Sequence, residues 1–164
     1  MLTRNFFEDR DLFLHLLEME LKRSLRYQSF ASVLLIEIPT ARRLTLSSTT
    51  NPLGRVVASL SSQIRETDII GTTKENMITV LLLNCDKRGT SEIGNRVSCW
   101  LSQYFGLDDS DSSISGSKLR LGAASFPTHA TDSEHLLGAA SEMLEMSGQP
   151  KSSSGFSLSG QNTK

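Results

Sequence analysis

Apolar positions along this 164-residue chain change their spacing several times, and each change marks an element. From Arg10 to Tyr27 they recur every fourth residue, at Phe13, Leu17, Leu21 and Leu25. Glu18, Lys22 and Arg23 fall on other faces, so the stretch predicts an amphipathic helix. Residues 31–38 centre on Val33-Leu34-Leu35-Ile36, a continuous apolar run that reads as a central strand buried on both faces. Pro39, with no N–H to give to a ladder, ends it. Asn51 and Pro52 offer a helix cap and a first-turn proline. Leu53, Val56, Val57, Leu60 and Ile64 then follow helical spacing. This places Arg65 at the helix end, where a cation meets the negative pole of the macrodipole.

A short strand at Ile69-Ile70, a turn at 74–76 and a strong strand at Met77–Leu83 make a hairpin. Ser91 is expected to cap a helix whose inward stripe is Ile93, Val97, Trp100, Leu101 and Tyr104. A loop of Asp, Ser and Gly at 108–117 leads to a strand at 119–124, closed by Phe126-Pro127. Thr131-x-x-Glu134 is a capping box for the last helix, with Leu137, Ala140, Met143 and Leu144 facing inward. Residues 148–164 are mostly Ser, Gly, Gln, Asn and Lys, with Pro150, Leu158, Thr163 and a single aromatic, Phe156, and are expected to be a disordered tail. The order α-β-α-β-β-α-β-α puts the chain in the α/β (α+β) class. Parallel strands joined by helices, plus one hairpin, imply one domain over 1–147 with a central mixed sheet flanked by helices.

Charge narrows the function classes. With 21% charged residues and a formal net charge of −1, no field favours nucleic acid or a membrane surface. The longest apolar runs, 33–36 and 80–83, are too short to span a bilayer. The N-terminus lacks the basic-then-apolar order of a signal peptide. Cys85 and Cys99 both fall on apolar-patterned elements and read as reduced core thiols, which fits a cytoplasmic protein. His15, His129 and His135 show no ligand spacing. Asp108-Asp109-x-Asp111 lacks the glycine and terminal glutamate of a calcium loop, so no metal or cofactor is expected. Gly-x-Ser-x-Gly, P-loop and Cys-x-x-Cys motifs are absent.

Several stretches carry more than their periodicity. Leu2-Thr3 and Asp9-Arg10 lead in, and Arg26-Tyr27 precedes the first strand. Leu34-Leu35-Ile36-Glu37-Ile38 closes an apolar strand on an acid. Arg65-Glu66-Thr67-Asp68-Ile69-Ile70 comes before the hairpin turn, and Asn95-Arg96-Val97 lies in the third helix. Leu121-Gly122-Ala123-Ala124-Ser125-Phe126-Pro127 ends the last strand. In this order and at these spacings, over about residues 2–147, the chain resembles the GGDEF domain. That is the diguanylate cyclase fold, related to the palm of nucleotide cyclases and polymerases.

The resemblance implies a chemistry, and the residues depart from it. Joining two GTP molecules needs metal ions held by one acid at the end of the first strand and another in the signature turn. Two glycines in that turn let phosphates approach the backbone. Here Glu37 supplies the first acid. Lys74 and Glu75 stand for the glycines, Asn76 for the second acid and Met77 for the acid after it. Pro39-Thr40-Ala41-Arg42-Arg43-Leu44-Thr45-Leu46 replaces the family's Asp-Phe-x-Lys-x-x-Asn-Asp, so Thr45 stands for the guanine-reading asparagine, while Arg42 could still bind phosphate. The loop before the second helix is about four residues shorter than the family's, and residues 49–53 lack its Gly-Asp-Glu. Gly148 stands for a phosphate-contacting lysine. A shifted register using Glu75 as a ligand restores neither the glycines nor the base-reading residues. The resemblance therefore implies a degenerate, catalytically inactive domain.

In cyclases of this family an Arg-x-x-Asp five residues before the turn, with an arginine from the third helix, binds the inhibitory product cyclic di-GMP. Carried over residue by residue, these are Arg65, Asp68 and Arg96. An arginine fork donates to guanine O6 and N7, a carboxylate accepts from guanine N–H, and a guanidinium stacks on a base. Without the resemblance, Arg65 is a helix-end charge, Asp68 its i+3 partner in a solvated turn, and Arg96 a surface residue. Two functions stay open: a cyclic di-GMP-binding effector, or a scaffold acting through protein–protein contacts without nucleotide. Both imply a protein partner, and a homodimer is compatible with either.

Overall fold

The computed structural model describes residues 6–38, 52–74, 76–106 and 119–147. Within them the chain runs β1 (Phe6–Phe7), α1 (Arg10–Tyr27), β2 (Ala31–Glu37), α2 (Pro52–Leu60), β3 (Ile69–Lys74) and β4 (Met77–Leu83). It continues through α3 (Lys87–Phe105), β5 (Arg120–Phe126) and α4 (Ser133–Ser147). Every expected element is present. The strand β1 is an addition, too short to show a period, and it pairs parallel with β3 through Phe6 and Ile70. The lead-in Leu2-Thr3, the stretch 39–46, the Asn51 cap, Glu75, the loop at 108–117 and the tail at 148–164 lie outside the described residues.

Five strands form one mixed sheet in the order β1-β3-β4-β2-β5. The mixed character matches expectation, but β2 pairs antiparallel with both β4 and β5. The parallel partners joined by helices are not adjacent. β2 and β3 run the same way with β4 between them, and β4 and β5 run the same way with β2 between them. Two split βαβ units thus interlock, so each crossover helix spans an intervening strand.

The interlock sorts the helices into two layers. Leu34, Ile36, Ile78, Val80 and Leu82 face α2 and α3, meeting Val56, Val57, Leu60, Ile93, Val97 and Leu101. Val33, Leu35, Leu81, Ala124 and Phe126 face α1 and α4, meeting Phe13, Leu17, Leu21, Leu136, Ala140 and Leu144. Alternation along β2 and β4 feeds both cores, which explains why those strands read as unbroken apolar runs. Gly122 lets α4 lie against β5, since a Cβ there would collide with backbone atoms of Ala140 and Leu144.

Helix boundaries and faces differ from expectation in ways that geometry explains. A four-residue step overshoots the 3.6-residue turn, so the buried stripe of α1 steps back to Ser24 and leaves Leu25 exposed at 69%. On α4 the buried set is Leu136, Ala140 and Leu144, while Met143 is exposed at 53%. The cap there is Asp132, whose Oδ1 accepts from His135 N at 2.9 Å, one residue after the expected Thr131. Asp86, not Ser91, caps α3, accepting from Gly89 N at 2.8 Å, which starts the helix five residues early. Trp100 and Tyr104 lie on the rim of α3, stacked at 5.2 Å between ring centroids.

The cysteines also separate. Cys85 is buried, but Cys99 is exposed, because it sits two residues past inward-facing Val97 and so points away from the sheet. Burial pushes the Cys85 thiol up in pKa, further reducing its thiolate fraction. Native-state alkylation is therefore expected to add one label per chain, on Cys99, by intact mass. A second label without denaturant would contradict the burial of Cys85.

Candidate nucleotide-binding site

The site begins where α2 ends. The helix ends at Leu60, with a last i→i−4 bond from Ser61 N to Val57 O at 2.9 Å, earlier than the apolar spacing through Ile64 implies. Ser62 N donates to Ser59 O at 3.2 Å and Gln63 N to Leu60 O at 2.8 Å, tightening the chain into a turn. Arg65 thus lies in the connection to β3, five residues beyond the end of the helix rather than in its last turn. Asp68 N closes back onto Arg65 O at 3.1 Å.

Asp68 holds this connection together from inside. It is only 2% exposed, where a solvent-facing side chain was expected. Its Oδ2 accepts from Arg65 N at 3.0 Å, and its Oδ1 accepts from Leu83 N at 3.1 Å. The first β3–β4 pair is Ile69 with Leu81, so Leu83 N lies one step beyond the ladder. Asp68 supplies the acceptor that β3 cannot. Burial raises the carboxyl pKa above its ordinary value. The backbone bonds from Leu83 and Arg65, then the charges of Arg65 and Arg96, pull it back.

Both arginines flank this turn and both are exposed. Arg96, one residue before buried Val97 on α3, reaches across so that its Nη2 donates to Gln63 O at 2.6 Å. The structure therefore brings the three expected residues together, as two exposed guanidinium groups and one buried anchor.

On the α1 side of the turn is a groove of about 300 Å³ lined by Glu20, Arg23, Tyr27, Thr67, Leu83 and Asn84, among others. Sequence reasoning missed it. Nothing in the periodicity of α1 links it to residues some forty positions later.

The opposite end of the sheet carries the positions that the resemblance matches to the catalytic turn. β2 and β4 pair from Glu37↔Met77 to Ala31↔Leu83, so this end is about 20 Å from Asp68 at a strand rise of about 3.3 Å per residue. Glu37 is bound by the Arg120 guanidinium from β5. Asn76, at φ 69°, makes the hairpin turn in the left-handed conformation and its carbonyl accepts from Ile38 N at 3.2 Å. Among the described residues, no three His, Cys, Asp or Glu side chains converge to hold a metal ion. No described helix is long and apolar enough to cross a membrane.

The fold is that of GGDEF domains of diguanylate cyclases. The FimX GGDEF domain of Pseudomonas aeruginosa is similar with a TM-score of 0.69 and 11% identity, covering 87% of this chain and 89% of that one. The TpbB (YfiN) GGDEF domain of the same organism is 19% identical at a TM-score of 0.66, covering 86% and 84%. The GGDEF domain of DgcB from Caulobacter crescentus, solved in complex with c-di-GMP, is 9% identical at a TM-score of 0.67, covering 86% and 82%. No protein-family model and no curated protein matches the chain.

Proposed function

We propose that this is a catalytically inactive GGDEF-type domain, folded over 1–147, that binds cyclic di-GMP at Arg65, Asp68 and Arg96 and acts in the cytoplasm through a protein partner. The observation that carries this reading is the convergence of Arg65 and Arg96 on one turn that Asp68 holds in shape. Exposure divides the roles. The two guanidinium groups donate to or stack on guanine, while Asp68 fixes the backbone from which Arg65 projects. The DgcB domain, seen with c-di-GMP bound, supports the ligand class.

Inactivity follows from the other end of the sheet. Glu37 is neutralised by Arg120, Asn76 carries no charge, and Met77 is a buried sheet residue. Exposed Leu12 and Met19 on α1, with Met143 and Met146 on α4, favour the second reading, a scaffold working through protein contacts without nucleotide.

Titration calorimetry with cyclic di-GMP separates the two. Binding is expected, and Arg65→Ala is expected to weaken it by about 1–3 kcal/mol, or roughly tenfold to a hundredfold, with Arg96→Ala also weaker. Absence of heat at high micromolar ligand would favour the scaffold. Equal binding by both variants would place the ligand elsewhere.

A further inference from the structure

The groove on the α1 side of the turn has the chemistry of a base pocket. Arg23 Nη1 lies 3.6 Å from Glu20 Oε1, too far for a hydrogen bond, so the carboxylate and the guanidinium keep capacity for a ligand. A carboxylate accepts two parallel bonds only from an edge with adjacent donors, which guanine provides in N1–H and N2–H. Adenine presents one donor beside an acceptor on that edge and cannot make both. Arg23 adds a donor for the neighbouring O6. Tyr27 supplies an aromatic face beside them, and Arg26 lies over its ring at 5.8 Å to the centroid.

Thr67 joins this groove to the proposed cyclic di-GMP site. It lines the groove and is two residues from Arg65, so their Cα atoms are at most about 7 Å apart. We infer that the groove is a second guanine pocket, with Glu20 reading N1–H and N2–H, Arg23 reading O6 and Tyr27 stacking. One bis-guanine ligand then places one base at Arg65 and the other here. The inference rests on the proposed cyclic di-GMP binding and adds the residues that set its guanine specificity.

Calorimetry with cyclic di-GMP and cyclic di-AMP, on wild type and on Glu20→Gln, Tyr27→Ala, Tyr27→Phe and Arg65→Ala, tests it. Far-UV circular dichroism and thermal unfolding establish that each variant is folded. Wild type is expected to bind cyclic di-GMP and to reject cyclic di-AMP. Glu20→Gln and Tyr27→Ala should each lose roughly tenfold or more, while Tyr27→Phe retains affinity. If Arg65→Ala weakens binding but Glu20→Gln and Tyr27→Ala bind like wild type, the groove is no base pocket and the turn alone binds. If wild type binds neither ligand, the effector reading falls and this inference falls with it.

Discussion

Asp68→Ala is expected to destabilise the protein by about 2–4 kcal/mol, because it removes the acceptor from two backbone N–H groups at once. Those groups belong to Arg65 and Leu83, and the site is shielded enough that water replaces the carboxylate poorly. Relief of the carboxylate's own desolvation offsets part of the loss. Urea unfolding should show a lower midpoint with an unchanged slope. A variant as stable as wild type would mean that water satisfies both amides and that Asp68 does not hold the turn.

The same residue gives a pH signature. Its pKa in the folded protein is raised above the ordinary 3.8, so the folded state binds a proton more readily than the unfolded chain. Stability therefore rises as pH falls through the window just above 3.8, and is lost as pH climbs through the raised native value. Glu18 and Asp132 have the opposite shift, lowered respectively by Lys22 and by the backbone N–H of His135, and their contributions fade on acidification. Both are unchanged in Asp68→Ala, so the difference between wild type and variant isolates Asp68. That difference should widen as pH is lowered through the window.

How this site could be read in advance shows where sequence patterning stops. Arg65, Asp68 and Arg96 are legible because their types and spacing are local or tied to a helix position. The burial of Asp68 is not, since it depends on how the start of β3 aligns with the end of β4, where Leu83 lies fifteen residues later. The elements themselves follow from changes in apolar period, and the two-faced burial of β2 from its unbroken run. Strand order is less accessible: the chain shows that helices cross over, not that each crossover skips a strand. Leu25 and Met143 fit an inward stripe by composition, and only the accumulated rotation of a real helix turns them outward.

Incubated with GTP and magnesium or manganese, the protein is expected to form neither pppGpG nor cyclic di-GMP. Phosphoryl transfer between two nucleotides needs metal ions to hold the triphosphate and to stabilise the attacking and leaving oxygens, and carboxylates must converge to hold them. Glu37 ends β2 where the resemblance implies one such group, and Arg120 on the neighbouring strand binds it. Across the turn, Asn76 is a neutral and poor magnesium ligand, and Met77 is 7% exposed within the sheet. Lys74 ends β3 with an exposed side chain where the resemblance implies a glycine that would let phosphates approach the backbone. On the proposed reading Arg120→Ala should not rescue activity, because releasing Glu37 leaves Asn76 where the resemblance implies the second acid. Product formed by wild type and abolished in Glu37→Ala would show that the turn still assembles a metal site, and would return the protein to the active cyclases.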